Sequence, residues 1–433
     1  MKTTLIRKTQ SLPVKLIVSP KTHSAKTLLL VALIVSGVIL GYLTGAFTDI
    51  VKPESELPDT SHAVGKFTSL ARPYAILISG TAGERGGAVY DANGLSAAWN
   101  ASYLALSETL GTAGDAISVR EDEFRAAVSS EGVVFAYRFP LQLDALLNWL
   151  GVTGTVSFET AADIICLSAC GDFANSAENY TLYYRTEDGR FFKRDGVSSI
   201  DGHMGDLSAP LLPTAYFAFE NPENRLTDIY TILPDKLPQL NELNIKIPQI
   251  TSVRIREILS TLEMNPYNSS NYQENGAVTY TENNATLKIY DHGLIEYSAA
   301  NEGYINLSGA ESADLAYRVL TEITQSEELQ LTEFTAADGK YEFRFEFIYG
   351  GIVISPGASA VVVVDGGRIR SLSVTLREYE ASSEVGILLP PRQAAIAANS
   401  DAYSMEVVYA EQGNSAVPVW ITRSDRRRNA LTR

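Results

Sequence analysis

The chain has 433 residues, 35 Lys and Arg against 51 Asp and Glu, 45% hydrophobic and 20% charged positions, and two cysteines. That length holds two or three domains of ordinary size. A formal charge of −16 argues against a nucleic-acid binder, which needs a basic face to displace counterions from phosphate, and two cysteines exclude a disulfide scaffold.

The N-terminus inverts the average. Lys2, Arg7, Lys8, Lys15, Lys21 and Lys26 stand in residues 1–26 without an acid, which leaves 29 basic against 51 acidic residues, a net −22, for the remainder. From Thr27 to Thr48 the chain reads TLLLVALIVSGVILGYLTGAFT, 22 residues without a charge between Lys26 and Asp49. At a rise of 1.5 Å per residue this segment spans about 33 Å, enough to cross a hydrocarbon core. A cleaved signal peptide is the rival reading. Its apolar region is usually shorter and ends in an A-x-A-like site, which Thr44-Gly45-Ala46 matches poorly, so an uncleaved anchor is expected. The flanking cations then hold the N-terminus in the cytoplasm and place residues 49–433 outside the cell membrane. Within the span, Gly37, Gly41 and Gly45 recur every four residues with Ser36 beside the first. Such spacing gives a smooth face on which a partner helix can approach closely. Glycine is also simply frequent in membrane helices, and both readings stay open.

Residues 49–71 hold Pro53, Pro58, scattered charges and no sustained period, the pattern of a linker. A first region follows, opening on the apolar strand candidate YAILIS (74–79), a Gly-rich turn, and a stretch of helical period at 95–110. VVFAYRF (133–139) reads as a strand and LDALLNWL (143–150) as a short helix. Residues 181–195 read as a hairpin turning at Asp188-Gly189. In the second half a helix followed by antiparallel strands recurs three times. The helices are 252–264, 313–324 and 392–400. The strands are 277–282, 285–291 and 294–299, then 341–349, 360–367 and 368–380, then 405–413 and 417–425. Strand 341–349 sets Tyr341, Phe343, Phe345, Phe347 and Tyr349 on a core face and Glu342, Arg344 and Glu346 on a solvated one. The expected architecture is α+β: a cytoplasmic stub (1–26), a single N-terminal transmembrane helix (27–48), a linker (49–71), a mixed α+β domain (72–235), and serial helix-plus-antiparallel-sheet modules at 236–309 and 310–433.

Reaction chemistry is sparse. His23 falls in the stub and His62 in the linker. His292 sits in the turn Asp291-His292-Gly293, where a polar residue is expected on turn grounds alone. His203 lies in DGHMGD (201–206), which offers two carboxylates and an imidazole to a metal, but its glycines favour a loop. No His-Glu-x-x-His, G-x-S-x-G, S-x-x-K or Walker-type loop occurs. GTAGERGG (80–87) lacks both the spacing and the lysine of a phosphate cradle. Cys166 and Cys170, four apart in DIICLSAC, are close enough on one helical turn to bridge, and equally readable as two buried thiols. Neither catalytic residues nor a cofactor or metal are expected.

At this point the sequence resembles the YycH/YycI family of Gram-positive bacteria, membrane-anchored regulators that accompany the WalK (YycG) sensor histidine kinase controlling cell-wall metabolism. The resemblance is carried by FAYRFPLQLDALLNWLG (135–151), LYYRTEDGRFFKRD (182–195), LKIYDHGLIEYSA (287–299) and YAEQGNSAVPVWITRSD (409–425) followed by Asn429-Ala430, similar to a terminal PVW…NA pattern. Arg426-Arg427-Arg428 replaces the Gly-containing turn and strand of that pattern. The resemblance implies regulation by contact, through membrane helix and ectodomain, with the kinase's membrane helices and with a paralogous regulator as partners, and no catalysis. Two other readings remain: an anchored cell-envelope enzyme or wall-ligand binder, and a PepSY-like protease-inhibitory module built from the helix-plus-strands repeats.

Overall fold

The computed structural model describes residues 70–80, 84–152, 158, 160–169, 179–197, 212–300, 305–337, 339–354, 359–398 and 402–423. All of them fall in one compact unit, His62–Arg433. The expected membrane span with Ser36, Gly37, Gly41 and Gly45, together with His23, His62, Cys170 and His203, lies outside the described residues. No helix among the described residues is long and apolar enough to cross a membrane.

The first half is a seven-stranded antiparallel sheet ordered β2-β1-β4-β5-β6-β7-β3. Its strands are β1 (Ala75–Ser79), β2 (Arg85–Val89), β3 (Ile117–Val119), β4 (Gly132–Gln142), β5 (Ala161–Ser168), β6 (Asn179–Thr186) and β7 (Phe191–Val197). The sheet carries three helices, α1 (Ala92–Thr112), α2 (Glu121–Ser129) and α3 (Leu143–Trp149). Asp91 caps α1, its carboxylate accepting from the Asn93 amide at 3.1 Å. Leu95, Ala98, Trp99, Ser102, Ala105, Leu106, Thr109 and Leu110 return at helical spacing and are buried against the sheet.

Gly86 and Gly87 of the glycine-rich stretch lie in a strand, β2. β2 pairs with β1 from Arg85 opposite Ser79 to Val89 opposite Ala75. A Cβ at Gly87 would sit 2.3 Å from the Ala215 Cβ on the short strand β8 (Ala215–Phe217), so only glycine allows that approach. DIICLSAC also departs from expectation. Cys166 lies in β5, so the helical turn invoked for a bridge to Cys170 does not exist at that residue; its thiol is buried and faces the Ala127 carbonyl at 3.8 Å. Ala161–Ser168 is strand because it is mostly apolar and buried at every position, Asp163 and Ser168 included.

β8 pairs with β9 (Ile232–Pro234). The second half then builds two sheets. The larger has the path β11-β12-β13-β14-β19-β18-β16-β15, with β17 (Ile352–Val353) alongside β16. Its strands are β11 (Ser270–Glu274), β12 (Ala277–Glu282), β13 (Ala285–Tyr290), β14 (Leu294–Ala299), β15 (Leu329–Ala337), β16 (Lys340–Tyr349), β18 (Ser359–Asp365) and β19 (Arg368–Thr375). Helices α4 (Ser252–Thr261) and α5 (Gly309–Thr324) contact each other, and α5 packs on β16 and β18. A Ser308/Glu311 capping box opens α5. Because β14 pairs with β19, from Leu294 opposite Thr375 to Ser298 opposite Ser371, the 309/310 boundary between the repeats is not a break between sheets. The smaller sheet, ordered β20-β10-β22-β21, joins β10 (Asn241–Lys246) to β20 (Glu378–Val385), β21 (Ser404–Gln412) and β22 (Ser415–Arg423), with α6 (Pro391–Ala397) between β20 and β21.

In β16, Phe343, Phe345 and Phe347 are buried as the alternation requires, and Phe343 stacks on Phe334 with centroids 4.9 Å apart. The charged face holds in part: Glu342 is exposed and Arg344 pairs across to Glu333 at 3.1 Å. Glu346 is buried, because that end of β16 meets the first sheet. Removing the stacked ring at Phe343 leaves an apolar void, so Phe343→Ala should lower unfolding stability by about 3–5 kcal/mol, against under about 0.5 kcal/mol for Glu342→Gln, measured by chemical denaturation.

Candidate functional site

Three arginines leave the strands on which they sit and enter the interior where the first sheet meets the four-stranded one. Arg138 stands on β4 where the register to β5 shifts between Ala136 and Leu141, a stretch that includes Pro140, which has no amide to donate. Asp163 occupies a similar irregularity between β5 and β6. Each break turns a side chain that a regular ladder would aim along the sheet normal.

Two linked clusters result. Arg185 of β6 donates from Nε and Nη2 to the two Asp163 oxygens, both at 2.9 Å, and from Nη1 and Nη2 to Asp228 at 2.5 and 3.2 Å. Its guanidinium lies 5.2 Å from the Tyr230 ring. Asp228 is itself held by its backbone, whose amide donates to the Tyr403 carbonyl at 2.7 Å, just before β21. In the second cluster Glu406 of β21 is the shared acceptor of Arg138 and of Arg423 on β22, the latter through Nε at 2.8 Å. Arg138 also donates from Nε to Gln330 of β15 at 2.9 Å and stacks 5.0 Å from the Tyr74 ring. The side chains of Arg138, Arg185, Asp163 and Glu406 are all under 10% exposed. A cavity of about 70 Å³ lies among them, lined also by Tyr74 and Tyr403.

The electrostatics follow from burial set against partners. Burial alone would lower the Arg185 pKa, yet Asp163 and Asp228 hold it well above its ordinary value. Burial, then the neighbouring Arg423, pushes Arg138 down to about 10 against the attraction of Glu346, so it stays cationic at neutral pH. Arg138 Nη2 has no hydrogen-bond partner among the described residues. The chemistry available here is charge pairing that fixes orientation.

A second concavity, about 600 Å³, opens between Tyr90–Asn93, residues 234–241, the β16–β17 turn and Tyr409. Tyr90 sits in the left-handed region at φ 58°, a costly conformation for an aromatic residue, and its buried hydroxyl accepts from the Val407 amide at 2.9 Å. Tyr409 donates to the Asn241 carbonyl at 3.1 Å and meets Tyr349 edge to face at 6.1 Å. Burial raises both the Tyr90 and the Tyr409 pKa, the latter to about 12, so both act as neutral hydroxyls.

Of the residues singled out from sequence, His292 lies exposed in its β13–β14 turn, 5.3 Å from the Tyr290 ring. Among the described residues no three His, Cys, Asp or Glu side chains converge as a metal site. The charge network was missed. Its signal was a lone arginine inside each of two otherwise apolar strands, FAYRF and LYYRT.

In comparison with solved structures, the chain shares the fold of YycH from Bacillus subtilis, with a TM-score of 0.56 and 12% identity over 83% of this chain and 95% of that one. A second match, the C-terminal domain of YpeB from Bacillus megaterium, has a TM-score of 0.28 and 17% identity, covering 42% of this chain and 92% of that one. No protein-family model matches the sequence, and no curated protein is similar to it at a significant level.

Deleting one member of the Arg185 cluster strands the others. Arg185→Ala should cost about 3–5 kcal/mol in equilibrium unfolding, whereas replacing Arg185, Asp163 and Asp228 together by apolar residues of similar volume should recover most of that loss.

Proposed function

We propose that this chain is a membrane-anchored, extracytoplasmic regulator that modulates a sensor histidine kinase by contact and performs no catalysis of its own. The observation that carries this reading is the fold shared with YycH across 83% of the chain. The segment 27–48, apolar and led by six cations, supports it by supplying an anchor and a topology. The kinase in question is of the WalK (YycG) type, and the contact runs through the anchor's glycine face and the ectodomain, with a paralogous regulator as a further partner.

The anchor contact is tested directly. With Gly37 and Gly41 both replaced by Ile, the smooth face is lost, and co-purification of the full chain with the kinase from membranes should fall to background while the circular dichroism of the ectodomain is unchanged. Undiminished association would remove the helix contact from the account.

The tyrosine-lined cleft favours a second reading, a binder of cell-wall fragments, in which the anchor is only a tether. It predicts that a disaccharide-pentapeptide fragment raises the Tm of the protein and that Tyr349→Ala abolishes the rise; an unmoved Tm discards it.

A further inference from the structure

β20 ends the four-stranded sheet. β10 holds one of its sides, and among the described residues no strand holds the other. Along Glu378–Val385 only Tyr379 and Ser382 are half-buried, and the rest are exposed. Beyond it the chain continues through Gly386, whose amide donates to the Leu240 carbonyl at 2.8 Å, and presents an apolar tip: Ile387 is 97% exposed, Leu389 52% and Val385 48%. Three large apolar side chains so exposed and so close together, one at the end of β20 and two just beyond it, are unusual on a surface.

The charge on this edge has one sign. Glu378, Glu380 and Glu384 line it, and Lys246 of β10 is taken by Glu380 at 2.6 Å. Among the described residues no cation pairs with Glu378 or Glu384. Arg377 is turned away, donating to the His292 carbonyl at 2.8 Å. These acids decide between occupants. The register of β20 to β10 shifts between Ala381 and Val385, so Glu378–Ala381 is the regular part of the ladder, and a second copy pairing antiparallel about Tyr379 would set Glu378 of each chain opposite Glu380 of the other, two like-charge pairs that destabilise it. A strand carrying Lys or Arg at alternate positions meets the same acids favourably, and its remaining apolar side chains can cover Ile387 and Leu389.

We infer that the free edge of β20, with the apolar tip at 385–389, is a strand-addition site for an extended, basic and apolar segment of another protein. Backbone hydrogen bonds would supply the affinity, and Glu378 and Glu384 the selectivity. Pro390 and Pro391 end the ladder at that side, since neither can donate to an added strand. This inference stands on the edge itself and is independent of whether the chain contacts a kinase.

The test uses the full chain in detergent micelles with two synthetic peptides, KVKVKVK and EVEVEVE, read by amide hydrogen exchange. The lysine peptide should slow exchange across 378–389 on the order of tenfold, less at high salt, without slowing β11, the exposed edge of the larger sheet. Glu378→Gln combined with Glu384→Lys should transfer the protection to the glutamate peptide, and Ile387→Asp should weaken both. Equal protection by the two peptides, or equal protection at β11, would overturn the proposal. So would protection of 378–389 that rises with protein concentration in the absence of peptide, which would identify a second copy as the occupant.

Discussion

The interior junction of three guanidiniums with Asp163, Asp228 and Glu406 constrains everything around it. Removing such charges from water costs several kcal/mol per ion, and only close partners offset that. Glu406 meets Arg138 from the first sheet and Arg423 from its own, while Arg185 reaches Asp228 in the segment that binds the backbone before β21. Pulling the first sheet away from the four-stranded one would separate Arg138 from Glu406. The network thus ties the first sheet to the four-stranded one, with the cost of burying the charges set against their pairing. Uncharged ties run the same way: Trp149 of α3 donates to the Ala310 carbonyl in α5 at 3.2 Å, and the strained Tyr90 accepts from β21.

This bears on how the fold could serve regulation. On the proposed reading of a regulator that acts by contact, a surface altered at one place is felt at another only where the sheets joining them move as one body. The three arginines of the network fall in three of the segments that carry the family resemblance: Arg138 in 135–151, Arg185 in 182–195 and Arg423 in 409–425. The resemblance in those short motifs thus coincides with the residues that hold the sheets in register, which gives it a structural meaning that spacing alone did not.

Element type was legible wherever the hydrophobic period was strong. The helices at 95–110, 252–264 and 313–324 and the hairpin turning at Asp188-Gly189 follow from local pattern and turn chemistry. Three features were not legible, each for a tertiary reason. β2 forms from RGGAV because Ala215 packs against Gly87, a contact 128 positions away in sequence. The larger sheet runs unbroken from β14 to β19 because strands of successive repeats pair, which repetition alone does not reveal. Glu346 is buried although its strand alternates cleanly, because Arg138 approaches from another sheet. The candidate site was legible only as isolated arginines in apolar strands.

The central claim is that the buried charges make the described sheets one cooperative unit. Native-state hydrogen exchange on the full chain tests it by comparing the opening free energies of amides in β4–β6 with those in β21–β22. The account predicts one shared value in the unaltered protein and two values, lower in β21–β22, when Glu406 is replaced by Ala. Distinct values in the unaltered protein, or an unchanged shared value in the variant, would contradict it.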